Sequence, residues 1–332
     1  MKLATLSFLF AATVSMPCTA HLEHIHEPKS QETRLNDLSF DELVEHIAGN
    51  KFVTPQPFTH KALSKELAKR TSDDRPISHF WRASMLQRAH HFQPALSTLE
   101  HYLTLRPSDA NALLLKANIE TVLGSFDKAL ATCLSLATKH SVDLAMVCTL
   151  DVKMQSEPLQ PIITRLAHSP LREGNSELAY FTQELFATAL YFDGQYLAAK
   201  QALTPMMGAK LSSSTWLLFA DTLMALGQAQ QFVEQFSRLK LNIDDIPDAL
   251  IVRLAHAAPK QWLARAQQRM AHRLADDANN YADALAYYFY HVVDDPITAL
   301  HWAKQQTHIS ALKVDTMLYE QIQSELRAQT IN

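Results

Sequence analysis

Apolar residues along this chain fall at helical spacing, in segments divided by short polar or proline-containing breaks. Phe80, Ala83 and Leu86 lie before one break, and Phe92, Ala95, Leu96, Leu99 and Leu103 follow it. Three of the six glycines mark equivalent breaks: Gly124, Gly194 and Gly227 each have an alanine seven residues earlier, at Ala117, Ala187 and Ala220. Two of them have an aromatic two residues later (Phe126, Tyr196) and an alanine five later (Ala129, Ala199). A fourth copy reads Ala83, His90, Phe92, Ala95, with histidine in the glycine's place. A period of about 34 residues carrying small, turn, aromatic and small positions predicts stacked helical hairpins.

The copies place hairpins at about 76–107, 110–140, 175–206 and 213–240. Gly124 and Gly194 are 70 residues apart, two periods, so a further hairpin must lie between them. Ser156, Glu157 and Pro158 supply its turn, with the proline opening the next helix. Before the repeats, Ser39 and Glu42 form a capping box, Gly49 closes that helix, and a second helix is expected over 59–69. Residues 37–75 thus read as an amino-terminal cap and 76–240 as the repeats. Residues 241–332 read as degenerate helical repeats with a carboxy-terminal cap, since terminal units must meet water on one face.

Each alanine lets the partner helix approach closely, the aromatic fills the wedge to the next hairpin, and glycine supplies the left-handed backbone of the turn. On these residues the chain resembles the tetratricopeptide repeat (TPR) family. The best stretches are LLLKANIETVLGSFDKAL at 113–130 and WLLFADTLMALG at 216–227, and the resemblance extends over about 76–240. Ala229 stands for the aromatic and Phe232 for the small residue, which predicts irregular packing of that unit. The resemblance implies an all-α, right-handed α-solenoid of stacked antiparallel helical hairpins, a TPR-like superhelix. It also implies a concave groove lined by the first helix of each hairpin. Its polar positions would be Ser84, Arg88, Asn118, Thr121, Thr188 and Asp221, beside Phe80, Leu114, Tyr191 and Leu217. Such a groove suits an extended peptide or a partner helix. A lysine–asparagine clamp for a terminal carboxylate is not evident.

Composition agrees with helices: glycine is scarce, 47% of residues are apolar and 19% charged. With a net charge of −4 and no long basic run, nucleic acid is not an expected partner. Residues 1–20 read as a secretory signal peptide: Lys2, an uncharged apolar run over 3–14, Pro17, and small residues at 18–20. The twelve-residue run reaches about 18 Å as a helix, short of the ~30 Å hydrocarbon core, so no stable membrane insertion is expected after cleavage. An exported bacterial protein, periplasmic or secreted, is the resulting expectation.

Cys133 and Cys148 would remain after cleavage, an even pair in an oxidising compartment. Their midpoint falls in the turn at 139–141, so antiparallel helices folded about it would bring them level. Either a disulfide or two buried thiols fits that position. Residues 21–36 read as a flexible leader in which His21, His24 and His26 sit beside the new amino terminus. They could chelate nickel, copper or zinc, or be incidental. No GxSxG, P-loop, HExxH or CxxC motif is present. The expected function is a non-enzymatic scaffold, without cofactor, for a protein or peptide in the cell envelope. The alternative is a periplasmic transition-metal accessory.

Overall fold

A computed structural model describes residues 35–49, 52–54, 58–70, 75–207, 211–276 and 278–331. The signal segment, most of the leader, and His21, His24 and His26 lie outside them. Among the described residues every element is helical apart from one isolated bridge between Phe52 and Ser212.

Two helices form the amino-terminal cap, α1 (Phe40–Gly49) and α2 (His60–Lys69). Five hairpins follow: α3 (Pro76–Arg88) with α4 (Phe92–Leu105), α5 (Ala110–Val122) with α6 (Phe126–Lys139), α7 (Val142–Ser156) with α8 (Leu159–Ala167), α9 (Glu177–Phe192) with α10 (Tyr196–Leu203), and α11 (Ser213–Ala225) with α12 (Ala229–Ser237). The carboxy-terminal region contains two more, α13 (Asp248–Ala257) with α14 (Pro259–Ala275), and α15 (Ala282–Tyr287) with α16 (Pro296–Ile309). The last helix is α17 (Lys313–Ile331). The first helices α3, α5, α7, α9, α11, α13 and α15 pack successively on one another as an inner layer. This is an α-solenoid of TPR-like hairpins.

Two kinds of turn alternate. Within hairpins, Gly124, Gly194 and Gly227 take φ of +71°, +76° and +67°, and His90 takes +60°. In all four, the next residue's N–H reaches back to the carbonyl five positions earlier: His91 to Leu86 (2.9 Å), Ser125 to Glu120 (2.8 Å), Gln195 to Leu190 (2.9 Å) and Gln228 to Leu223 (2.7 Å). That bond closes the helix end only when the intervening residue is left-handed. Between hairpins, helices start on side-chain caps: Asp109 accepts from Ala112 N–H (3.0 Å), Ser141 from Leu144 (3.1 Å), Ser176 from Ala179 (3.1 Å) and Ser212 from Thr215 (3.2 Å). Ser39 and Glu42 cap reciprocally, as their spacing predicts.

The nested alanines Ala83, Ala95, Ala117, Ala129, Ala187, Ala199 and Ala220 are all buried. Phe232, which replaces the small residue of the fifth hairpin, is fully buried and stacks obliquely on Phe236. The last hairpin also carries the pattern, in a form hidden from the sequence. Asp294 occupies the left-handed turn (φ +62°), and Ala299 follows five residues later. A π-helical turn over Tyr288–Val293 accommodates an extra residue, moving the buried alanine to Ala286, eight before the turn. Cys133 of α6 and Cys148 of α7 form a disulfide, with Cα atoms 5.5 Å apart.

Both ends return onto the array. Val53 N–H donates to Leu211 C=O (3.0 Å), beside the bridge from Phe52 to Ser212. The segment between α16 and α17 crosses to the second and third hairpins: Ala311 N–H donates to Val122 C=O (2.7 Å), and Lys313 N–H to Gln155 Oε1 (3.0 Å). Among the described residues no helix is long and apolar enough to cross a membrane.

Candidate binding cavity

The returning segment encloses a cavity of about 850 Å³ on the inner layer, within the range that holds drug-sized ligands or a short piece of chain. Its walls come from α9, α11, α13, α15, α16 and α17, with single residues of earlier hairpins such as His90, Phe92, Val122 and Met154. Aromatic and aliphatic side chains dominate, among them Tyr191, Phe192, Leu217 and Leu218.

One polar cluster is built across α11, α13 and α15. Arg253 forks onto Asp221, Nε to Oδ1 and Nη2 to Oδ2, both at 3.0 Å. Its guanidinium also lies 3.8 Å from the centre of the Tyr287 ring. Burial opposes the charge on Arg253, but the carboxylate of Asp221 outweighs it and holds the guanidinium above its ordinary pKa. The Tyr287 hydroxyl donates to Met224 Sδ (3.3 Å) and sits 2.9 Å from Nδ1 of His256. His256 stacks nearly parallel on His291, ring centres 4.8 Å apart. Burial, then His256 and Arg253, push His291 down to about 3, so its imidazole is neutral at pH 7. Burial likewise lowers His256.

A second cluster lies on the closing segment. Gln306 Nε2 donates to Asp315 Oδ2 at 3.2 Å. Burial, with the carboxylate of Asp283 nearby, raises Asp315 to about 7, although Ser310 and Gln306 hydrogen-bond to it. Away from the cavity lining, buried Asp151 is raised by desolvation and by Glu184.

Of the ten groove residues expected from sequence, Thr188, Tyr191, Leu217 and Asp221 line this cavity. The other six do not. Phe80, Ser84, Leu114, Asn118 and Thr121 are buried in helix packing, where Gln87 Nε2 contacts Asn118 Oδ1 at 3.5 Å and Thr121 bonds back to Ala117 C=O. Arg88 donates to Ile47 C=O (3.2 Å), so α1 covers the start of the inner layer, and burial lowers this guanidinium to about 10. The amino-terminal half of the expected groove is therefore filled by the chain itself.

Arg253, His256, Tyr287, His291, Gln306 and Asp315 were not anticipated. Their helical spacings, 253 with 256 and 287 with 291, place each pair on one face. Spacing alone does not reveal that the two faces meet. Among the described residues no group of three or more histidine, cysteine, aspartate or glutamate side chains could hold a metal.

No family model matches the chain, and no curated protein does. Among solved structures it is similar to the crystal structure of the P58(IPK) TPR domain, with 10% identity over 87% of this chain and 99% of that one, at a TM-score of 0.25.

Proposed function

We propose that this chain is an exported, non-enzymatic TPR-like scaffold that binds a short segment of a protein partner in the cell envelope. The observation that carries the reading is the cavity itself: an apolar, aromatic-walled space on the inner layer, with a few fixed polar groups that orient an occupant. The Cys133–Cys148 bond and the signal-like pattern of residues 1–20 support an oxidising compartment outside the cytosol. A photoreactive amino acid at Leu217, inside the cavity, should capture a discrete partner in cells. The same group at Leu134, which is 61% exposed on α6, should not. Absence of an adduct from Leu217, or equal labelling from both positions, would refute the reading.

A second reading rests on His21, His24 and His26 beside a new amino terminus, a set suited to nickel, copper or zinc. Calorimetric titration of the mature chain against one beginning at Pro28 tests it; equal heats from the two would remove it.

A further inference from the structure

The cavity wall is unevenly charged. Glu184, Asp221, Asp283, Asp315 and Glu320 line it, against a single guanidinium, Arg253, which Asp221 already engages through both oxygens. His256 and His291 add no positive charge near pH 7, because their burial favours the neutral ring. The space therefore favours a cation.

Gln306 shows where the cation would sit. The residue lines the cavity and is only 7% exposed. Its Nε2 is committed to Asp315, while its Oε1 has no hydrogen-bond partner among the described residues. A buried carbonyl oxygen without a donor is costly and uncommon in a folded protein. Beside it stands the Asp315 carboxyl in the first turn of α17, with Asp283 in the first turn of α15 close enough to raise its pKa. The cation that acts on both carboxyls, Arg253, is already forked onto Asp221, and a primary ammonium would bring three further N–H donors on a flexible stem. Ala286 and Ala303, which also line the cavity, give its wall apolar surface on which such a stem can lie.

We propose that this end of the cavity is a lysine pocket: it receives the ε-ammonium of a lysine in the bound partner segment, held by Asp283, Asp315 and the Oε1 of Gln306. The proposal rests on the peptide-binding reading above and supplies its specificity. A lysine would bring the missing donors to Gln306 and a compensating charge to the two carboxyls. It would also drive off any proton shared there, so binding should release protons at neutral pH.

The test is calorimetric titration of the full chain with Nα-acetyl-lysine methylamide, with its uncharged analogue Nα-acetyl-norleucine methylamide, and with cadaverine. The lysine derivative should bind at least tenfold more tightly than the norleucine derivative, with heats that change with buffer ionisation enthalpy. Asp283→Asn and Gln306→Met should each weaken it at least fivefold while thermal melts show a folded protein. Equal affinity for lysine and norleucine derivatives would overturn the lysine pocket and leave the peptide reading standing. No detectable binding of the lysine derivative to folded wild-type chain would overturn the pocket as well. Binding of cadaverine and lysine alike, with no partner captured at Leu217, would keep an ammonium site but refute the scaffold. Failure of either variant to fold leaves the decision to proton release, whose absence on binding of lysine counts against the carboxyl pair.

Discussion

His90 holds a backbone conformation that three other hairpins assign to glycine, at φ +60°. An L-residue with a β-carbon is strained there by about 1 kcal/mol, only partly offset by stacking of the ring on Phe92 at 5.6 Å. His90→Gly should therefore stabilise the chain by roughly 0.5–1 kcal/mol in urea unfolding. The reverse substitutions separate two effects. Gly194→Ala meets nothing within 4 Å and should cost only the backbone term, about 1 kcal/mol. Gly124→Ala would place a methyl 3.1 Å from Ala311 Cβ on the closing segment, and should cost more than Gly194→Ala. Equal losses at the two positions would mean that the closing segment is not seated on the second hairpin in solution. The histidine-for-glycine exchange is visible in the sequence; at Asp294 the sequence shows a break between two helices but not that it repeats the left-handed hairpin turn. There the π-helical turn shifts the alanine by one position and breaks the spacing by which the others are recognised.

At the scale of helices, each hairpin buries its small residues against the next, so stability is shared between neighbours. The disulfide crosses one such boundary, joining the second helix of the second hairpin to the first helix of the third. Closing its short loop is worth roughly 3 kcal/mol in the chain-entropy view. Cys133→Ser with Cys148→Ser should lower unfolding free energy by about that amount, and a reductant should reproduce the loss in the wild type while leaving the double variant unchanged. Insensitivity of the wild-type melt to reductant would contradict it. The sequence places both cysteines equidistant from a turn and so level with each other; the bond between them is what the structure adds. The inner-layer residues were less so: helical spacing identifies a face, but whether Asn118 or Asp221 on that face meets a neighbour or open space depends on what lies across from it.

For the whole molecule, the closing segment couples stability to pH through groups it buries. Asp315, raised to about 7 in the folded state from 3.8, binds a proton more readily folded than unfolded. Its contribution is complete below pH 4 and is lost as pH rises through 7. His291 behaves oppositely: held down near 3, its contribution is complete above pH 6.5 and is lost as pH falls. Asp315→Asn should therefore be more stabilising, or less destabilising, at pH 8 than at pH 4, by roughly 1–3 kcal/mol after allowance for partial exposure. Melts whose wild-type-minus-variant difference does not change with pH would show that this carboxyl is not desolvated by the fold.

The sequence by itself determined the helices, the hairpin period, the turn points and the level placement of the two cysteines, because each depends on residues a few positions apart or symmetric about one turn. Only the tertiary structure decided which inner positions face a cavity. That outcome sums the small rotations between successive hairpins, and it is completed by contacts such as Lys313 to Gln155, 158 residues apart. No local pattern encodes a contact of that range, so the cavity and its acid-rich lining emerge only when the array closes on itself.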